Sequence, residues 1–106
     1  LLFLGRLVPE KAVHELVEAY MGLSREERNG LKLVVAGAPV GTSAYADELY
    51  AKGKADGDVI FTGFVGGTLR NELFTNARAY VSASHLEGLP LTVIQAMANG
   101  LPVLLS

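Results

Sequence analysis

The chain begins LLFLGRLVPEKAVHELVEAYMGLSREERNGLKLVVAG (1–37), and this stretch decides its fold. The apolar runs at 1–5 and 31–37 are short, end in glycine and lack two-residue alternation, which is typical of parallel strands covered on both faces. The segment between them has helical spacing, and its apolar side consists of Val13, Leu16, Val17 and Tyr20. The stretch therefore predicts a strand, a surface helix and a second, parallel strand.

The same alternation continues to residue 106. Further strand-like runs lie at 58–64, 79–84 and 102–106. Helical spacing recurs at 43–56, 68–77 and 90–99, with inward side chains predicted at Leu69, Leu73 and Phe74 and at Val93, Ile94 and Met97. Strands that alternate with helices are joined by crossovers in an open parallel sheet. We therefore predict one doubly wound α/β domain over 1–106, Rossmann-like, with strand order 3-2-1-4-5 and three α/β/α layers.

Composition excludes several classes of protein. The 106 residues are 50% hydrophobic and 19% charged, an ordinary globular composition. The net charge of −2, without a Lys/Arg run, disfavours nucleic-acid binding. With no cysteine, a disulfide framework and a thiolate metal site are excluded. This favours a reducing compartment, so the predicted location is cytoplasmic, with a membrane-peripheral position of the full-length protein as the alternative.

The chain contains no apolar run of the ~18 residues that a membrane-spanning helix needs. It starts without Met on one strand-like run and stops directly after another. We therefore expect that the chain is a piece of a longer protein and that the chain itself contains no transmembrane segment.

A ligand site is predicted where the strand order reverses, beyond the carboxyl ends of the first and fourth strands. The residues that follow these strands are GRLVPEK (5–11) and SHLEGLP (84–90). Arg6, Lys11 and the helix N-terminus after Pro90 would together attract a diphosphate. Glu87 would repel phosphate and is better suited to accept hydrogen bonds from hydroxyl groups. The predicted ligand is both anionic and polyhydroxylated.

Several motifs give the chain a family resemblance over its full length. They are GRLVPEK (5–11), VVAG (34–37), FTGFV (61–65), S-x-x-EGLP (84–90) and AMANGLPV (96–103). With these motifs in this order, the sequence resembles the nucleotide-sugar-binding half of retaining GT-B glycosyltransferases of group 1. The resemblance implies a UDP-, GDP- or ADP-sugar donor, no separate cofactor, an unknown acceptor and an acceptor domain on the N-terminal side. It also implies that the fragment by itself is inactive.

The resemblance assigns roles to particular residues. It implies that Arg6 and Lys11 bind the donor diphosphate and that Glu87, the first acid of an E-x7-E motif, contacts the sugar hydroxyls. The remaining donor-binding positions are Gly5 and Gly63, then Phe64 and Val65, whose backbone would lie along the base, and Gly88 and Leu89, whose amides help to hold sugar or phosphate. The second acid of the motif, which binds ribose, is replaced by Gln95. Ala12 is a second departure, because the family usually has glycine after the lysine.

Catalysis is predicted to need no metal. Positive side chains and a helix end can stabilise the departing phosphate as fixed electrostatic groups. A D-x-D pair at Asp56 and Asp58 has the form of a metal-binding signature, but it precedes the third strand on the opposite edge of the sheet. The Asp-Gly pair at 56–57 favours a turn instead.

Two alternatives stay open at the level of sequence. The first is a non-catalytic nucleotide- or phosphate-binding module of the same fold, in which Gln95 reflects lost function. The second is a flavodoxin-like signalling or interaction domain without a ligand. The first strand ends in Gly5 and Arg6 rather than in acids, which argues against a receiver domain.

Overall fold

Five parallel strands form one sheet in the computed structural model, which describes residues 1–83 and 91–105. The strands are β1 (Leu2–Leu4), β2 (Leu33–Ala36), β3 (Val59–Gly63), β4 (Tyr80–Ser82) and β5 (Val103–Leu105). Their order in the sheet is β3-β2-β1-β4-β5, and every neighbouring pair is parallel. The predicted order 3-2-1-4-5 is confirmed.

Helices cover both faces of this sheet. They are α1 (Val13–Met21), α2 (Arg25–Arg28), α3 (Ala44–Lys54), α4 (Gly67–Asn76) and α5 (Leu91–Ala98), with a 3-10 turn at Pro9–Lys11. Because side chains alternate along a strand, Phe3 of β1 joins the core under α1 and α3, while Leu2 and Leu4 join the core under α4 and α5. This is the predicted three-layer α/β/α arrangement.

The predicted inward face of α1 is confirmed. Val13, Val17 and Tyr20 are buried, and Leu16 packs against the same core at its edge. The helix is amphipathic, so its burial follows directly from the spacing of its apolar residues.

The inward faces predicted for α4 and α5 are partly wrong. Leu69 is 50% exposed, Ile94 45% and Met97 59%, whereas Phe74 and Ala96 are fully buried. The flat ring of Phe74 and the small side chain of Ala96 pack against the sheet. With α4 and α5 in this orientation, the larger aliphatic side chains face outward. The prediction for Val93 lies outside the described residues.

Helix α3 contains a glycine because it packs very closely on β3. Gly53 is buried, and a Cβ atom at this position would lie 2.5 Å from a ring carbon of Phe61. The glycine weakens the helix by roughly 1 kcal/mol relative to alanine. It also permits the close approach of α3 to the sheet, so its reason is tertiary packing.

The phenol of Tyr80 links the two adjacent strands β4 and β1 near the centre of the sheet. β1 pairs with β4 through Leu2 and Tyr80, and the Tyr80 hydroxyl donates to the carbonyl oxygen of Leu4 at 2.9 Å. The same hydroxyl accepts from the Leu4 amide at 3.4 Å. The buried phenol therefore supports the carboxyl end of β1 at the point where strand order reverses.

The D-x-D pair takes part in a structural ion pair. Arg28 donates from both terminal nitrogens to Asp56, at 2.6 and 2.9 Å, and also to Asp58 at 3.4 Å. Its guanidinium carbon lies 4.4 Å from the centre of the Tyr20 ring. Arg28 ends α2, which begins with a capping box formed by Ser24 and Glu27. These aspartates thus tie α2 to the start of β3.

Candidate functional site

A cleft of about 610 Å³ opens at the carboxyl ends of the first three strands. Its walls come from the segments that follow β1, β2 and β3, together with one side chain of α4. The lining residues are Leu4, Gly5, Arg6, Lys11, Gly37, Ala38, Pro39, Val40, Phe64, Val65 and Arg70. The cleft therefore lies at the end of the sheet where open α/β folds bind ligands.

Backbone hydrogen bonds connect the carboxyl ends of β1, β2 and β3 and the residues that follow them. The Gly5 amide donates to Ala36 at 3.0 Å, and the Leu7 amide donates to Ala38 at 3.2 Å. The Gly37 amide donates to the carbonyl of Gly63 at 2.9 Å. With these bonds formed, the floor of the cleft is held in place before any ligand arrives.

Gly37 is the glycine that this arrangement most requires. Its φ is +144°, and a Cβ atom there would lie 1.8 Å from the carbonyl oxygen of Gly5. The sequence analysis included Gly37 in the VVAG motif (34–37) but gave it no structural role. The available signal was a glycine directly after a buried strand, which often marks a close approach of two backbones.

The two cations predicted to share a site line the same cleft. Arg6 is exposed directly after β1, and Lys11 is half-buried at the end of the 3-10 turn. Ala12 follows in the left-handed conformation, with φ of +52°. This conformation favours glycine, which is the residue that the resemblance leads us to expect after the lysine.

The residues predicted near the base follow β3. Phe64 and Val65 line the cleft; the Phe64 side chain is 83% exposed, and that of Val65 is buried. Gly5 also lines the cleft. Gly63 ends β3 with φ of +74° and touches the site through its hydrogen bond with Gly37. The predictions for Glu87, Gly88 and Leu89 lie outside the described residues.

Gln95 is held by an arginine that the sequence analysis missed. The side-chain oxygen of Gln95 accepts from Nε of Arg70 at 3.1 Å and from Nη2 at 2.8 Å. Arg70 belongs to the second turn of α4 and lines the cleft. The helix follows β3 closely, so its early residues lie at the ligand-binding end of the sheet, and this proximity was the signal available in the sequence.

The cleft is positively charged although the chain is not. Arg6, Lys11 and Arg70 are the charged side chains among the described residues that line it. Within the same described ranges, no group of three or more histidine or acidic side chains is placed to hold a metal ion. The site as described is therefore suited to binding an anion.

The sheet thus brings three cations together at the carboxyl ends of parallel strands, where open α/β folds commonly bind anions. Residues 1–106 match the family described as glycosyl transferases group 1. The chain belongs to this family, as its motifs predicted.

Individual relatives agree with this assignment. The chain is 34% identical over 106 residues to an uncharacterized glycosyltransferase of Methanocaldococcus jannaschii, a match that covers 100% of this chain and 26% of that protein. It is 30% identical over 105 residues to O-antigen chain mannosyltransferase B of Escherichia coli, with 99% and 28% covered. The chain thus spans about a quarter of the length of these curated relatives.

Solved structures show the same fold. The crystal structure of Anabaena HepE in complex with UDP-glucose matches with a TM-score of 0.82 at 22% identity, over 98% of this chain and 28% of that chain. The likeness supports the Rossmann-like arrangement of sheet and helices. Across the described part of the chain, no helix is long and apolar enough to cross a membrane.

Proposed function

We propose that the chain is the donor-binding domain of a two-domain GT-B glycosyltransferase. It would bind a UDP-, GDP- or ADP-sugar, from which the glycosyl group passes to an acceptor with retention of configuration. The observation that carries the proposal is the cleft beyond β1, where Arg6 and Lys11 lie on preformed backbone. Membership of group 1 gives the reaction class that such a cleft serves.

The proposed chemistry follows from where charge develops. Departure of the nucleotide leaves negative charge on the diphosphate, and groups that bind this charge more strongly in the transition state accelerate transfer. Arg6 supplies a planar fork of donors and Lys11 a point charge. One fixed donor of this kind typically stabilises the transition state by roughly 3 kcal/mol. These cations make transfer without a metal ion the expected mechanism.

The other residues would orient the donor. Glu87 accepts from the sugar hydroxyls in this proposal, and the amides of Gly88 and Leu89 bind sugar or phosphate. Phe64 and Val65 lie along the base, Gly5 and Gly63 allow the nucleotide to approach the backbone, and Gln95 contacts the ribose. The residues that bind the acceptor belong to a second domain on the N-terminal side, in a cytoplasmic or membrane-peripheral enzyme. Without that domain the chain would bind donor weakly and transfer little sugar.

A binding experiment on the full-length protein that contains this chain tests the proposal. UDP, GDP and ADP are titrated by calorimetry, with and without EDTA, for the wild type and for Arg6→Met and Lys11→Met. We expect one nucleotide to bind in the presence of EDTA and each substitution to weaken it about tenfold or more, as for loss of a charge-assisted contact. The matched control is Arg78→Met, an exposed arginine before β4 that lies in a different groove.

Transfer assays separate the enzyme from the non-catalytic alternative. This alternative stays open because Gln95 replaces the second acid of the motif, and because its side-chain oxygen already accepts hydrogen bonds from Arg70. Hydrolysis or transfer from the matching nucleotide sugar supports the enzyme, with kcat reduced about 100-fold in Arg6→Met. Nucleotide binding without turnover would favour the binding module, and no nucleotide binding at all would refute both.

A further inference from the structure

The phenol of Tyr45 joins the start of α3 to the start of α1. The backbone amide of His14 donates to the Tyr45 hydroxyl at 3.0 Å, and Nδ1 of the same histidine lies 2.8 Å from that oxygen. The two rings meet edge to face, with their centroids 5.4 Å apart and an angle of 88° between their planes. The contact thus attaches one backbone group and one side chain of α1 to a single atom of α3.

The Tyr45 hydroxyl supplies a cap that α1 lacks in its own sequence. The first amides of a helix have no acceptor within the helix, and a side chain at the N-cap usually provides one. The N-cap of α1 is Ala12, which makes no side-chain hydrogen bond. The hydroxyl accepts instead from the amide of His14, the second residue of the helix. The first turn of α1 therefore depends on a side chain of α3.

The pattern of donors and acceptors assigns the state of the His14 ring. A backbone amide can only donate, so the Tyr45 oxygen accepts from it and the phenol hydrogen points elsewhere. Nδ1 of His14 is at hydrogen-bond distance and accepts this hydrogen if it carries none of its own. A hydrogen on Nδ1 would place two donors against the phenol oxygen. The neutral ring with its hydrogen on Nε2 therefore satisfies all three groups.

The turn that leads from Lys11 into α1 needs such a contact. Ala12 lies in this turn in the left-handed conformation, with φ of +52°, which alanine disfavours. Lys11 ends the 3-10 turn directly before it and lines the cleft. On the other side of the contact, the cleft wall at 37–40 leads through residues 41–43 into α3. The contact therefore fastens together the two segments that follow β1 and β2.

We propose that Tyr45 and His14 are positioning residues that hold Lys11 at the cleft. The inference rests on the proposed function, because it takes the diphosphate of a nucleotide as the ligand of Lys11. Neither Tyr45 nor His14 lines the cleft, and both face a separate groove between α1 and α3. Their effect on a bound nucleotide is therefore exerted through the backbone that carries Lys11.

A double-mutant cycle between Tyr45 and Lys11 tests the proposal. In the full-length protein, calorimetry measures the dissociation constant of UDP, GDP or ADP, whichever binds most tightly. Tyr45→Phe removes the hydroxyl and keeps the ring, and we expect it to weaken binding roughly fivefold, as for one lost hydrogen bond. In the Lys11→Met background the same change should have no further effect, because no cation remains to be positioned.

Substitutions of His14 test the acceptor separately. The side-chain oxygen of asparagine can take the place of Nδ1, so His14→Asn should keep the wild-type affinity within about twofold. His14→Leu has no acceptor and should weaken binding roughly fivefold, as Tyr45→Phe does. Circular dichroism of each variant shows whether it is folded, and His14→Leu tests the idea independently if Tyr45→Phe is not.

Lys52→Met is the matched control at the same pair of helices. Lys52 pairs with Glu18 of α1, one turn beyond His14, and both side chains are about half exposed. Such an exposed pair adds little to stability. Its loss should leave both the nucleotide affinity and the effect of Lys11→Met unchanged.

Three results would overturn the inference while leaving the proposed function intact. Tyr45→Phe could weaken binding equally with and without Lys11, which would mean that Tyr45 acts on the fold as a whole. It could also leave the affinity unchanged, or His14→Asn could lose as much affinity as His14→Leu. If the wild type binds no nucleotide, or if Lys11→Met does not weaken binding, the proposed function itself fails.

Discussion

The cleft requires glycine at particular positions after the strands, where two backbone segments approach each other closely. Gly37 and Gly5 approach so closely that both atoms in conflict with an added methyl group belong to rigid backbone. Gly41 in the same loop also has a positive φ, of +64°, but open space surrounds its Cβ position. The two positions therefore separate the cost of backbone conformation from the cost of a steric clash.

We expect Gly37→Ala to lower the free energy of unfolding by roughly 3 kcal/mol, from strain and overpacking together. Gly41→Ala should cost only about 1 kcal/mol, because it has conformational strain alone. Gly57→Ala, with neither a positive φ nor a neighbour within 4 Å, should cost about 0.5 kcal/mol or less. Urea unfolding of the three variants measures this order, and equal costs at positions 37 and 41 would contradict it.

At the scale of elements, the sequence predicted which segments are strands and helices better than it predicted how the helices are rotated. Short apolar runs, most of them bounded by Gly, Asp, Asn or Pro, located all five strands, since parallel strands are buried on both faces. The phase of α4 and α5 was less predictable, because the side chain that fits closest to the sheet need not be the largest. Ala96 takes that position in α5, and Ile94 and Met97 turn outward.

The candidate site, like the helices, could be predicted only in part from the sequence. Open α/β sheets bind ligands beyond the carboxyl ends of their strands, and this rule with the predicted strand order is enough to place Arg6 and Lys11 in one cleft. The same rule brings the early residues of α4 near the cleft, but it does not single out Arg70, because the side chain that faces the cleft depends on the rotation of α4 about its axis. Its contact with Gln95 also joins residues of two different helices, and nothing in the spacing of either helix indicates that pairing.

The ion pair between α2 and β3 makes stability depend on pH. The hydrogen bonds from Arg28, and then that from the Asp58 amide, hold the pKa of Asp56 below its ordinary value of 3.8. A carboxyl group with a lowered pKa stabilises the fold above its unfolded pKa, and this stabilisation is lost as the pH falls through the folded pKa. The pair therefore contributes at neutral pH and weakens below about pH 4.

Arg28→Met should consequently be destabilised most at pH 7, with its difference from the wild type shrinking between pH 4 and pH 2. Urea unfolding at several pH values measures the difference. Arg25→Met is the matched control on the same helix, since Arg25 influences Asp56 only through space and as the weakest of the causes. A difference for Arg28→Met that stays constant down to pH 2 would rule out the ion pair as its source.

At the scale of the whole molecule, net charge and local charge have opposite signs. The chain carries a net charge of −2, with 11 acidic and 9 basic residues. Three of the basic residues line the cleft, where the described residues include no acid. A diphosphate is therefore repelled weakly at long range and attracted at short range, and salt screens both interactions.

The response of affinity to salt shows which of these interactions dominates. The screening length falls from about 10 Å at 0.1 M salt to about 3 Å at 1 M. The cations of the cleft lie much closer to a bound diphosphate than the acidic groups elsewhere on the surface, so their interaction with it is the stronger one. The cations at the cleft should win, so raising NaCl from about 0.05 to 0.5 M should weaken nucleoside diphosphate binding severalfold. The corresponding nucleoside, which lacks phosphate, should bind equally at both concentrations. Arg6→Met should flatten the dependence for the diphosphate. Calorimetry of the full-length protein measures these responses, and a diphosphate affinity that rises with salt would mean that repulsion from acidic groups outside the cleft outweighs the cations that line it.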